Sequence, residues 1–103
     1  MNRNIFTEIQ TLKRQILPDE KVILFGSQAR GDAHEDSDWD LLVLVNSDKI
    51  NLDDEIKYST PFFKLGWLYD IDLNVLVYAK NDWERRSFMP FYKNVLKDGI
   101  EIN

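Results

Sequence analysis

At 103 residues the chain has room for one core and not for two, so a single domain over residues 1–103 is expected. With 44% hydrophobic, 13% aromatic and 30% charged residues, it has the composition of a folded globule and not of a disordered tail. The net charge of -5 and pI near 4.7 argue against a nucleic-acid partner, because contacts to phosphate backbones need a basic stripe. Zero cysteines exclude disulfides, a thiol nucleophile and thiolate zinc sites. The polar start MNRN followed by an amphipathic segment reads as neither a secretory signal nor a membrane span, so the cytoplasm is the expected compartment.

In chain order, Ile5, Phe6, Ile9, Leu12 and Ile16 recur at helical spacing until Pro18, which predicts a one-sided helix over residues 4–17. The apolar run VILF at 22–25 ends at Gly26 and predicts a strand buried on both faces. Ser27 then opens a short helix. A second strand is expected over 39–45, WDLLVLV, after the acidic loop DAHEDSD. Residues 51–69 read as helical, with Pro61 either kinking that helix or, the preferred reading, starting a new one capped by Thr60. A third strand is expected over 70–78, where Ile71, Leu73, Val75 and Val77 alternate with Asp70, Asp72, Asn74 and Leu76. A last helix from Pro90 to Lys97, stopped by Gly99, precedes a short edge strand.

Alternation sends Asp38 and Asp40 to one face at the mouth of the second strand. An acidic loop alone is most simply a solvated one. A calcium loop fails, because Asp36, Asp38 and Asp40 imitate its opening but Leu41 stands where glycine is needed and Ser47 where glutamate is needed. A serine hydrolase fails too: the only histidine, His34, lies in the same acidic loop, and Ser27 sits on no glycine-flanked elbow. What remains is a phosphate and metal site. Gly26 lets the backbone approach an oxyanion, and the helix start at Ser27 offers free N–H groups and a hydroxyl. If the first two strands run antiparallel, this cradle faces Asp38 and Asp40, with Asp72 joining from a neighbouring strand. Carboxylates so gathered repel one another, and magnesium would neutralise them.

Gly26-Ser27, ten intervening residues, then Asp38-Trp39-Asp40 and a later Asp72 resemble the polymerase-beta-type nucleotidyltransferase superfamily. The phrases GSQARGD, SDWDLLV and PFYKNVLKDGIEI are similar to those of its minimal nucleotidyltransferase (MNT) proteins, commonly antitoxins encoded beside a HEPN-domain toxin. The resemblance implies an α+β (layered α/β) fold, a small mixed sheet with helices packed on it. It implies that Gly26 and Ser27 hold the triphosphate of ATP, and that Asp38, Asp40 and Asp72 hold two magnesium ions and form the catalytic set. Asp70 is the rival for the third place, and Arg30 either contacts phosphate or pairs with an acidic neighbour. The implied activity is transfer of AMP to a hydroxyl, a tyrosine of a cognate HEPN toxin. The competing readings are an antitoxin acting by binding alone and a plain nucleotide-binding module. The aromatics Phe62, Phe63, Trp67, Tyr69, Phe88, Phe91 and Tyr92 are expected mostly in the core, any exposed remainder marking a partner surface. A homo- or hetero-oligomer is compatible with all of this.

Overall fold

The computed structural model describes residues 3–103. Helix α1 (Arg3–Ile16) buries Ile5 and Ile9 and half-buries Phe6 and Leu12, the face its spacing predicts. Ile16 departs from that face: the helix ends there, its side chain is exposed, and Leu17 just beyond takes the buried position.

Strands β1 (Lys21–Phe25), β2 (Trp39–Val45), β3 (Leu73–Ala79) and β4 (Ile100–Ile102) form one four-stranded sheet in the order β3-β2-β1-β4. β1 runs antiparallel to β2 and to β4, while β2 and β3 are parallel. Alternation divides β2 between two cores. Trp39, Leu41, Val43 and Val45 pack with Val22, Leu24, Ile5, Ile9 and Phe62. Leu42 and Leu44 face the other way, onto Trp83 and Val95. Helices therefore cover both faces, and the near-continuous apolar run of β2 follows from that double burial.

The segment after β2 is one helix, α3 (Leu52–Tyr69), with Pro61 inside it. The expected restart at Thr60 does not occur. Thr60 Oγ1 donates back to the Ile56 carbonyl (2.6 Å) and Ser59 Oγ to that of Glu55 (2.7 Å), so neither hydroxyl acts as a cap. The cap lies upstream, where the Asn51 side chain accepts from the Asp54 N–H (2.9 Å) and the Asp54 carboxylate accepts from the Asn51 N–H (3.1 Å). An interior proline costs about 3 kcal/mol. Burial of Phe62 and Leu65 against the sheet offsets it, at about 1.5–3 kcal/mol for each large apolar side chain.

The exit of α3 also differs from expectation. Asp70 is left-handed (φ 54°) and its N–H donates into the last helical turn, while the Ile71 N–H reaches the Gly66 carbonyl at 2.9 Å. Asp70 and Ile71 thus close the helix, and the strand begins only at Leu73. Of the aromatics, Phe62 is buried and Phe63 half-buried, but Trp67 is 75% exposed and Phe88 76%.

Two short helices, α4 (Lys80–Arg85) and α5 (Pro90–Asp98), follow β3. α4 was not expected, since six residues are too few to display a period. Its Trp83 meets Tyr78, Phe91 and Tyr92, with centroids 5.6, 5.7 and 4.8 Å away. Gly99 ends α5 with extended backbone, not the left-handed turn expected of a stopping glycine. Its need is steric, because a Cβ there would strike the Val95 carbonyl and Ile23. No helix among the described residues is long and apolar enough to cross a membrane.

The Tyr92 hydroxyl donates to Glu84 Oε2 at 3.0 Å, joining α5 to α4. That bond, then partial desolvation and the Glu84 charge, raise its pKa above the ordinary tyrosine value. The contribution is complete below the unfolded value of about 10 and is lost as pH rises through the folded one. Alkaline titration followed by tyrosinate absorbance should therefore show Tyr92→Phe losing a late-ionising group, with the earlier part of the curve unchanged.

Candidate functional site

The sheet places the functional groups before any side chain is considered. In the antiparallel register Phe25 stands opposite Asp40, so the turn leaving β1 lies against the start of β2. Gly26 occupies that turn with φ 76°, a region open to glycine alone at little cost. A Cβ there would overlap Asp40 Oδ2, so the missing side chain is what lets the carboxylate sit on the turn.

Helix α2 (Ser27–Arg30) starts directly after Gly26. The first amides to donate back are those of Ala29 and Arg30, both to the Gly26 carbonyl at 3.1 Å. The N–H groups of Ser27 and Gln28 precede them at the helix start, where intrahelical acceptors do not reach. Gln28 is 5% exposed and donates through Nε2 to the Ser37 carbonyl at 3.4 Å. It fastens the glycine turn to the acidic loop that delivers Asp38. Gln28 is a supporting residue the sequence gives no reason to single out, since a glutamine in a polar phrase carries no periodic signal.

Asp38 is exposed and Asp40 half-buried, on the sheet face that Leu42 and Leu44 turn toward α4 and α5. The residue that joins them is Asn74, which stands opposite Asp40 on β3. Its Nδ2 donates to Asp38 Oδ2 and to Asp40 Oδ1, each at 3.0 Å. Ionised carboxylates only accept, so the nitrogen and not the oxygen of the amide must face them. One lone pair from each carboxylate therefore converges on a single point. Asn74 was legible as a polar member of the third strand's acidic face, and only the register with Asp40 shows what it touches.

Asp72 lies just ahead of β3, where its carbonyl accepts the Trp39 N–H at 2.8 Å. It lines a cleft of 370 Å³ with Gln28, His34, Asp36, Ser37 and Asp70. Among the described residues no group of three or more His, Cys, Asp or Glu side chains comes together to hold a metal ion. Asp70 belongs to the helix exit, not to the strand face on which it rivalled Asp72. Arg30 Nε pairs with Asp32 Oδ2 at 3.2 Å, both side chains well exposed. Exposed pairs contribute about 0–1 kcal/mol, so this one is easily exchanged for another anion. Arg30 also borders a 230 Å³ recess shared with Gly26, Phe91 and Asn94.

Residues 3–103 match the nucleotidyltransferase domain family. The chain belongs to that family. Two relatives from Methanocaldococcus jannaschii (strain ATCC 43067 / DSM 2661 / JAL-1 / JCM 10045 / NBRC 100440) are similar to it. One, named "Putative protein adenylyltransferase MJ0604", is 36% identical over 80 residues, spanning 78% of this chain and 74% of that protein. The other, "Putative protein adenylyltransferase MJ0141", is 37% identical over 95 residues, spanning 92% and 88%. Among solved structures, a toxin-antitoxin crystal structure with AMP-PNP covers 100% of this chain and 73% of its own, with a TM-score of 0.65 and 24% identity. A mutant of the toxin-antitoxin MntA-HpeT covers 95% and 72%, with a TM-score of 0.64 and 21% identity. Both share the fold, a mixed sheet with helices, as the α+β expectation requires.

Two glycines of this nucleotidyltransferase domain separate backbone strain from close approach. Gly26 and Gly31 both have positive φ, but a Cβ at Gly31 meets nothing within 4 Å. Urea unfolding should show Gly31→Ala costing about 1–2 kcal/mol from backbone strain alone. Gly26→Ala should cost a further ~1–3 kcal/mol, as overpacking against Asp40 does.

Proposed function

We propose that this chain transfers AMP from ATP to a hydroxyl group of a partner protein, and that it serves in this way as the antitoxin of a HEPN-type toxin whose acceptor is a tyrosine. The observation that carries the reading is the pair Asp38 and Asp40, joined through Asn74, with Asp40 against the Gly26 turn of a nucleotidyltransferase domain. The names of the relatives point to protein as the acceptor. The toxin-antitoxin assemblies that share the fold, one of them with AMP-PNP, support a toxin partner and an adenine nucleotide.

In this reading the amides of Ser27 and Gln28, with the Ser27 hydroxyl, cradle the triphosphate where Gly26 lets it approach. Arg30 leaves Asp32 for a phosphate oxygen. The acceptor oxygen forms a bond to the α-phosphorus as the bond from that phosphorus to the pyrophosphate oxygen breaks, and the hydroxyl proton passes to a carboxylate, for which Asp72 is the candidate. The donor set suits a divalent cation: the hard oxygens of Asp38 and Asp40 converge on one point, at present filled by an amide nitrogen. These two carboxylates, with Asp72 turned in from the cleft, would hold the magnesium ions. Bound magnesium would neutralise phosphate charge and lower the acceptor's pKa.

The test uses the protein purified with the product of the neighbouring reading frame, magnesium and ATP labelled on the α-phosphate. Label should appear on a partner tyrosine, and Asp38→Asn or Asp40→Asn should reduce the rate at least ~100-fold. Unlabelled partner that is nevertheless silenced by wild type and Asp38→Ala alike, without ATP, would show an antitoxin acting by binding alone.

A further inference from the structure

The carboxylate pair has a third member that is not an acid. Asp38 and Asp40 carry like charges on one strand face, and unassisted they would turn apart into solvent. Asn74 prevents this, because its single amide nitrogen donates one N–H to each, at 3.0 Å in both cases. Hydrogen bonds to ionised acceptors are roughly twice as strong as neutral ones. The backbone leaves little freedom in the arrangement, since Asn74 sits in register beside Asp40 in the parallel β2–β3 ladder.

We infer that Asn74 is the positioning residue of the carboxylate pair, holding Asp38 and Asp40 in cation-binding order while the site is empty and yielding to the cation when it loads. This rests on the proposed function for the use of the cation, but not for the contact itself. The amide nitrogen stands where the two carboxylates converge, so it acts as a neutral stand-in for the positive charge they lack. A half-turn of the amide exchanges Nδ2 for Oδ1 without moving the backbone. It removes a donor the cation would repel and presents a carbonyl oxygen, a ligand type that magnesium and calcium accept. Cation entry is then a replacement within an ordered site, not the assembly of a disordered one, and the ordering cost is met on folding.

The contact can be read directly from the side-chain amide signals in nitrogen-proton spectra of the intact protein, with Asn74 assigned by the signal lost in Asn74→Asp. In chelator-treated protein the Asn74 signal should move in Asp38→Ala and again in Asp40→Ala, and magnesium should shift it in wild type. Magnesium binding, measured by calorimetry, should weaken roughly 10- to 100-fold in Asn74→Leu, as for loss of a supporting partner. It should recover to wild-type strength or better in Asn74→Asp, whose oxygen replaces the amide's. If Asn74→Leu fails to fold, the amide signals and Asn74→Asp decide alone. An Asn74 signal indifferent to both aspartates and to magnesium, or equal magnesium affinity in Asn74→Leu and wild type, would overturn the inference. Were AMP transfer absent while these shifts and affinities appeared as described, the proposed function would fall and the positioning role would stand.

Discussion

The antiparallel pairing of β1 with β2, with Phe25 opposite Asp40, is the constraint on which the rest of the site depends. Both strands are central in the four-stranded sheet, and their inward residues Val22, Leu24, Leu41 and Val43 are fully buried. A slip of one residue would turn that whole set to the opposite face, so the register is held by the cost of unburying the core. The same register brings the end of one strand and the start of the next to a single edge. The glycine turn, the start of α2 and the carboxylate pair meet there because the apolar residues several positions away cannot move.

The second core fixes the other side of the arrangement. Leu42 and Leu44 share a strand face with Asp38 and Asp40, and they are buried under α4 and α5 around Trp83 and Val95. The ring of Phe25 packs edge-on against Phe91 at 5.3 Å, so the residue before Gly26 is held by α5. The face is therefore dry over the middle of β2 and open at its mouth, where the carboxylates stand. Asn74 arrives from β3 through the parallel ladder, with no loop involved. Asp40 and Asn74, held by paired strands, are fixed more rigidly than loop residues, and Asp38 is tied to them through the Asn74 amide.

The parts of the structure legible in the sequence were those written in burial. The α1 stripe and the apolar runs 22–25 and 39–45 follow from hydrophobic pattern, and the last helix from Pro90 at its start and Gly99 at its end, while the antiparallel meeting of Gly26 with Asp40 entered as the condition for a shared site and is met in the register. Three features were hidden, two of them because they depend on partners distant in the chain. Pro61 stays inside α3 because Phe62 and Leu65 dock on the sheet, a tertiary term that local propensity does not contain. Residues 70–72 alternate like a strand, yet Asp70 and Ile71 close α3 through local bonds and the left-handed turn at Asp70. Asn74 drew notice only as one polar residue among acids, because its meaning lies in a register with Asp40 that no local pattern encodes. Helix α4, with one buried residue, Trp83, had no period to read.

The Gly26 turn and the Asp38–Asp40 pair are proposed as one nucleotide and cation site. The most direct test is a crystal structure of the protein with magnesium and an ATP analogue whose α–β bridge is a methylene group, which binds without being cleaved. Phosphate oxygens are expected on the amides of Ser27 and Gln28, and a cation between Asp38 and Asp40 in place of the Asn74 amide nitrogen. A nucleotide bound elsewhere, with Asn74 still bridging the two carboxylates, would contradict this proposal.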